Sequence, residues 1–196
     1  MKIVLATRNP GKIAELRRIL AGFEIVGLEE FPEIGEVAET GVTFEENALL
    51  KAHAVAKGSG LPAVADDSGL CVDVLNGMPG VFSARWSGRH GDDQANLDLL
   101  LAQLSDVPAE KLSAHFACAA ALALPSGEHR VVEGTLPGHL ITTPRGTNGF
   151  GYDPILVPLG HDRTTAELSP DEKDAISHRG RAFRALAPIV RDIVGS

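Results

Sequence analysis

The sequence predicts an α/β fold with a mixed sheet and a cleft between two lobes, carried by a single domain over residues 1–196. Three observations predict it. Strand-like apolar runs alternate with amphipathic helical segments through the first part of the chain, a β-rich insertion stands in the middle, and strong helix-start signals mark the last third.

In order, residues 2–6 read as a buried strand, ended by the polar, turn-forming stretch 7–11. A helix follows in which Ile13, Leu16 and Leu20 share one face while Lys12, Glu15, Arg17 and Arg18 decorate the others. Residues 24–28 suggest a second strand, and 29–41 a loop without periodicity. Thr43 followed by Glu46 has the pattern of a capping box, and Phe44, Ala48, Ala52 and Val55 recur at helical spacing until Gly58 to Pro62 stop the helix. Residues 63–65 make a short strand that leads into Asp66-Asp67-Ser68-Gly69, read here as a turn, after which 70–75 are extended again. A helix over 92–104 turns Leu97, Leu100, Leu101 and Leu104 inward. Residues 113–124 and 130–136 form two strands, joined by a Pro-Ser-Gly turn. Ser169, Pro170 and Glu172 start a short helix, and a last helix over 179–194 faces Ala182, Leu186, Ile189 and Ile193 inward.

Composition narrows the function classes. A net charge of −8 excludes general nucleic-acid binding, because a surface that tracks a phosphate backbone needs an excess of Lys and Arg. It leaves room for a small polyanion, which needs only a few local cations, helix N-termini and a metal ion. The longest apolar run, 116–124, is far short of the ~20 residues of a membrane span. The first residues enter a strand directly, leaving no room for a signal peptide. Cys71 and Cys118 sit in apolar segments without CxxC spacing and read as core residues of a reducing compartment, so the expected location is cytoplasmic.

Four segments could carry chemistry. Thr7-Arg8-Asn9-Pro10-Gly11-Lys12, between a strand and a helix, combines a close-approach glycine, helix-start N–H groups and a lysine. It lacks Walker spacing, and taken alone it reads as a capped turn with a solvated lysine. Glu39, Glu45, Glu46, Asp66 and Asp67 form an acidic set. A hard cation such as Mg²⁺ needs one or two such carboxylates, and another can serve as general base. Adjacent Asp66 and Asp67 at the end of a strand point to opposite sides and so do not serve one role; taken alone, they read as caps of the Ser68-Gly69 turn, and Glu45 and Glu46 as first-turn helix residues. In Thr147 to Pro154, two glycines flank Phe150, opening a ring face on which a base could stack, and Asp153 could accept from a base N–H. A glycine-rich hairpin with a buried ring accounts for the same residues. Finally, Lys173 and Ser177-His178-Arg179-Gly180 place cations at a helix start, where the macrodipole disfavours them unless they have partners.

The order of these segments is more telling than any one of them. TRNPGK from residue 7, ETG-x-TF-x-ENA at 39–48, ADDSG at 65–69, GFGYDPI at 149–155 and SHRG at 177–180 closely resemble the inosine triphosphate pyrophosphatase family, from the first strand to the last helix. The resemblance implies a mixed, elongated, twisted sheet with helices on its faces, two lobes and a central cleft, in a homodimer. It implies Mg²⁺-dependent cleavage of inosine, deoxyinosine and xanthosine triphosphates to monophosphate and pyrophosphate. Carried over by residue, Thr7, Arg8, Asn9, Pro10, Gly11 and Lys12 would hold the triphosphate, with Lys51 also facing it. Glu39 and Asp67 would bind the metal, Asp67 would activate water, and Ser68 would touch substrate. Phe150, Gly151, Tyr152 and Asp153 would line the base pocket, closed by Lys173, His178 and Arg179.

Overall fold

A computed structural model describes residues 2–20 and 22–194. The fold is mixed α/β, and the chain divides into two compact units: residues 1–67, 118–134 and 179–196 form the first, and 68–117 with 135–178 the second. Strands β1 (Lys2–Leu5), β2 (Glu24–Val26), β3 (Ala63–Val72), β4 (Met78–Pro79), β5 (Ser113–Ala123), β6 (His129–Leu140) and β7 (Leu156–Pro158) are accompanied by helices α1 (Pro10–Ile19), α2 (Phe44–Ser59), α3 (Asp93–Gln103), α4 (Pro170–Ile176) and α5 (His178–Val194). The strand order is β2-β1-β3-β5-β6-β7, with β4 beside β3. Strand β1 runs parallel to β2 and β3, whereas β3–β4 and β6–β7 are antiparallel, which makes the sheet mixed.

In the first unit the period-2 alternation of strands sorts side chains into two layers. Ile3, Leu5, Val64, Ala120 and Leu122 pack on one side with Leu16 of α1 and Phe183, Leu186 and Val190 of α5. Val4, Ala63, Ala65, Ala119, Ala121 and Ala123 pack on the other with Ala48, Ala52 and Val55 of α2. That second layer is small on both sides of the contact. Alanine methyls let the α2 backbone lie close to the strands, which brings its short polar side chains within reach of β3. In the second unit Leu97 and Leu100 of α3 join Leu70, Val72, Phe116, Leu136 and Leu140 in a separate core.

The structure corrects several sequence expectations. Asp66-Asp67-Ser68-Gly69 is no turn: β3 runs unbroken through it. Gly69 is there because a Cβ would sit 2.4 Å from the Gly80 carbonyl oxygen and from Ser83 Oγ, a steric demand read from the sequence as turn chemistry. Strand β2 stops at Val26, and Leu28–Glu30 is a short 3₁₀ turn. Strand β6 continues past 136 through Pro137 and Gly138 to Leu140, because Pro137 needs only its carbonyl, which accepts from Leu159 N at 3.0 Å. Thr43 caps α2 as expected, but the Glu46 carboxylate reaches back to Val42 N. In α5, Phe183 and Val190 complete the buried face in place of Ile189. Glu15, expected in solvent, is buried.

Candidate active site

The site in the first unit is built on β3. Because successive residues of a strand face opposite sides, Asp66 enters the α1/α5 layer and Asp67 the α2 layer. Both are buried, and their surroundings differ in kind.

Asp66 is surrounded by cations. Its Oδ2 lies 2.9 Å from Lys12 Nζ and 3.2 Å from Arg179 Nε, and Cys118 Sγ approaches the same oxygen at 4.0 Å. Arg179, 2% exposed, also donates through Nη1 to Glu15 Oε2. Burial by itself would raise the Asp66 carboxyl, but Lys12, Arg179 and Lys51 reverse the effect and hold it well below the usual carboxylate range. Asp66 is therefore a fixed anion. The first turn of α5 carries an arginine because two carboxylates partner it, as the sequence conflict with the macrodipole required.

Asp67 has a milder setting. Its Oδ2 accepts from Asn47 Nδ2 at 3.0 Å, and its Oδ1 is 3.6 Å from Lys51 Nζ. Lys51 in turn contacts Glu39 Oε1 at 2.6 Å, so one ammonium touches both carboxylates expected to bind metal. Here burial dominates, and with Glu39 nearby it raises the Asp67 carboxyl against the opposing pull of Lys51, Lys12 and the Asn47 amide. Lys51 goes up as well: burial disfavours its charge, and Asp67, Asp66 and Glu39 outweigh that. Adjacent aspartates thus end up shifted in opposite directions, the pattern that separates an electrostatic anchor from an acid–base group.

The loop before α1 is ordered by Asn9, whose Oδ1 accepts from Gly11 N at 2.9 Å and Lys12 N at 3.2 Å, while Thr7 Oγ1 accepts from Asn9 N. Pro10 occupies the first helical position, where no N–H is needed. Arg8 Nη2 reaches the Ile34 carbonyl at 2.7 Å and fastens the loop over 31–34. Two residues essential to this arrangement, Glu15 and Asn47, were not singled out as site residues from the sequence. Each carries the same faint signal: a polar residue beside a buried apolar one on a helix face that otherwise points inward.

Ser68, the next residue on β3, opens the second unit and is half-buried. In that unit the loop over 147–154 is organised by Asp153. Its Oδ2 accepts from Phe150 N at 2.8 Å and from Lys173 Nζ at 2.6 Å, and its Oδ1 from Thr165 Oγ1 at 2.8 Å. Gly151 N donates to Asp93 Oδ2 at 3.0 Å. Lys173 Nζ stands 5.2 Å from the Phe150 ring centroid, a cation–π contact. Beside the half-buried Phe150 is a pocket of about 270 Å³, lined also by Thr147, Asn148, Asp93 and Gln94. Tyr152 goes elsewhere: it is in the core, its hydroxyl donating to the Ser83 carbonyl at 2.9 Å. His178 is buried and stacked on Phe116, ring centroids 4.9 Å apart. The structure therefore groups Phe150, Gly151, Asp153 and Lys173 in one loop cluster, and places Arg179 with Lys12 and Asp66 instead.

A model of the Ham1 family matches residues 3–189. A dITP/XTP pyrophosphatase of Streptomyces avermitilis is 68% identical over 198 residues, covering 99% of either chain. Among solved structures, the nucleoside-triphosphatase / dITP/XTP pyrophosphatase of Mycobacterium abscessus is 62% identical and aligns with a TM-score of 0.78 over 96% of this chain and 100% of that one. A HAM1 protein from Coxiella burnetii, at 42% identity, aligns with a TM-score of 0.88 over 98% and 99%. The chain belongs to the Ham1 family.

Proposed function

We propose that this protein hydrolyses non-standard purine nucleoside triphosphates, namely ITP, dITP and XTP, to the monophosphate and pyrophosphate, and so cleanses the nucleotide pool. The observation that carries the reading is the contrast on β3: Asp66 locked as an anion by cations, Asp67 buried with a raised carboxyl beside Lys51 and Glu39. Relatives named for this activity support it.

In this reading Asp67 is the general base. Its Oδ2 is held by the Asn47 amide and its Oδ1 lies toward Lys51, which orients it as a proton acceptor. It orients a water for attack on phosphorus and takes its proton as the new P–O bond forms and the bond to pyrophosphate breaks. Lys12, held by Asp66, and Lys51 place positive charge against the phosphates, and Asn9, Gly11 and Thr7 shape the loop that receives them. Glu39 and Asp67 fit a hard divalent cation. Both are carboxylates meeting at one ammonium. That donor set suits Mg²⁺, which keeps waters and takes further oxygens from substrate phosphate. When bound, Mg²⁺ supplies charge neutralisation on the phosphate oxygens.

Base recognition belongs to the second unit's loop. Phe150 offers the stacking face, with Lys173 held over it by Asp153 as a hydrogen-bond donor for the oxygen at the six-position of hypoxanthine or xanthine. Adenine presents an amine there, and such a mismatch against a donor discriminates by orders of magnitude. Tyr152 and Asp153 act by shaping the loop, and Arg179 by holding Asp66. We place the protein in the cytoplasm as a homodimer; both cysteines are buried and unbridged, which suits a reducing compartment.

The test is pyrophosphate release from ITP, XTP, GTP and ATP, with Mg²⁺ and with a chelator. Release from the first two, lost on chelation, is expected. Equal release from ATP, or preference for a modified pyrimidine triphosphate, would overturn the substrate class. Asp67→Asn should bind nucleotide yet lose nearly all turnover, and an active variant would remove Asp67 as the base.

A further inference from the structure

Asn47 is the fourth residue of α2, and it is 0% exposed. Asparagine is a poor helix former, and an amide buried without partners is costly. A leucine or alanine would serve packing better. Its partners explain its presence. Asn47 Oδ1 accepts from Gly41 N at 2.8 Å, and Asn47 Nδ2 donates to Asp67 Oδ2 at 3.0 Å. The Gly41 N–H can only donate, so the amide oxygen must face it, and the amide NH₂ must then face Asp67. The orientation has one solution.

Gly41 is part of the same device. A Cβ there would lie 2.8 Å from Asn47 Oδ1 and 2.6 Å from Glu46 Cβ, so the close approach requires glycine. Gly41 is two residues after Glu39, so the amide also ties the Glu39 segment to β3. Four residues further along the same helix face, Lys51 approaches the other oxygen of Asp67 at 3.6 Å. Asn47 therefore decides which carboxylate oxygen of Asp67 is fixed and which is turned toward Lys51 and Glu39.

We propose that Asn47 is the positioning residue for Asp67: clamped by the Gly41 N–H, its amide locks the rotation of the Asp67 carboxylate and holds it in register with Glu39. An amide does this without adding charge, whereas an ammonium in that place would compete with Lys51. The inference rests on the proposed role of Asp67 as the base.

The experiment measures kcat and KM for ITP at saturating Mg²⁺, nucleotide affinity by calorimetry and thermal melting, for Asn47→Asp, Gly41→Ala and Asp67→Asn. Asn47→Asp keeps the acceptor for Gly41 N and the side-chain volume but turns an oxygen toward Asp67. Expected is a kcat about 10- to 100-fold lower, the range seen when an outer-shell partner of a catalytic ligand is removed. KM and nucleotide affinity should stay within about threefold, while the melting temperature falls, because a buried carboxylate then faces Asp67. A packing role would lower the melting temperature without this split. Gly41→Ala, which pushes on Asn47 without touching Asp67, should lower kcat in the same direction, and it decides the matter should Asn47→Asp fail to fold. If kcat stays within about twofold of wild type while Asp67→Asn is inactive, the positioning role of Asn47 is refuted and the base stands. If Asp67→Asn turns over, the base assignment is what fails, and the proposal fails with it.

Discussion

Replacing Arg179 with methionine should lower the melting temperature by roughly 6–20 °C. The guanidinium is 2% exposed, donates to Asp66 Oδ2 at 3.2 Å and pairs with Glu15, itself 6% exposed. Methionine fills similar space but leaves two buried carboxylates short of a partner. Breaking a buried pair from one side costs about 3–5 kcal/mol, because a charge stays behind in a poor solvent. For a domain of this length each kcal/mol moves the melting point by about 2–4 °C, which gives the stated range. Lys12, 2.9 Å from Asp66, still compensates one of the two acids, so the lower half is favoured. The cost is a large part of a typical stability of about 5–15 kcal/mol. The pH dependence carries a sign. The folded Asp66 carboxyl lies below its unfolded value of about 3.9, so its contribution is full above that value and is lost as pH falls through the folded value. Weakening the compensation raises the folded value and shrinks that contribution at neutral pH. The gap between variant and wild type should therefore stay level from pH 7.5 to about pH 4 and narrow only as pH falls further. Thermal melts of wild type, Arg179→Met and Arg179→Met with Glu15→Leu test this, and the double variant should recover part of the loss. A single variant that melts within about 2 °C of wild type, or a gap that already narrows above about pH 4, would refute the reasoning.

Two other expectations concern the second unit. Phe150→Ala should raise KM for inosine triphosphate about 5- to 150-fold with a smaller change in kcat, from a stacking loss of about 1–3 kcal/mol; steady-state kinetics would show an unchanged KM if the ring has no ligand role. Gly149→Ala should raise KM as well, because φ is +77° and a Cβ would meet Asp153 Oδ2 at 2.1 Å, prising Asp153 from Lys173 and the Phe150 N–H. Wild-type kinetics in that variant would mean the loop tolerates a conformation the geometry forbids.

The ordered motifs from residue 7 to residue 180 make the family and the mixed α/β class legible in the amino-acid sequence. Element existence reads well where local physics dominates. Thr43 and Ser169 cap their helices as their side-chain oxygens dictate, and Leu97, Leu100 and Leu104 face inward by period alone. Expectations fail where a distant contact overrules composition. Asp-Asp-Ser-Gly is turn-like locally, yet β3 passes through it, because partner strands satisfy the backbone and Gly69 must admit Gly80 and Ser83. Tyr152 and Phe150 share one loop, yet one ring is core and the other half-buried, a division set by the Ser83 carbonyl 69 residues away.

Sequence alone determined which acids, cations and glycines are available; that neighbouring Asp66 and Asp67 diverge follows from β3 running through a segment that is turn-like locally. Only the tertiary structure decided what each one meets. Arg179 and Glu15, 164 residues apart in the chain, pair beside Asp66 and make it a permanent anion, while Asn47 and Lys51 give Asp67 one amide donor and one more distant charge. Burial multiplies such differences: in water both aspartates would titrate alike, but inside a low-dielectric layer a few ångströms and the identity of the nearest donor set them apart.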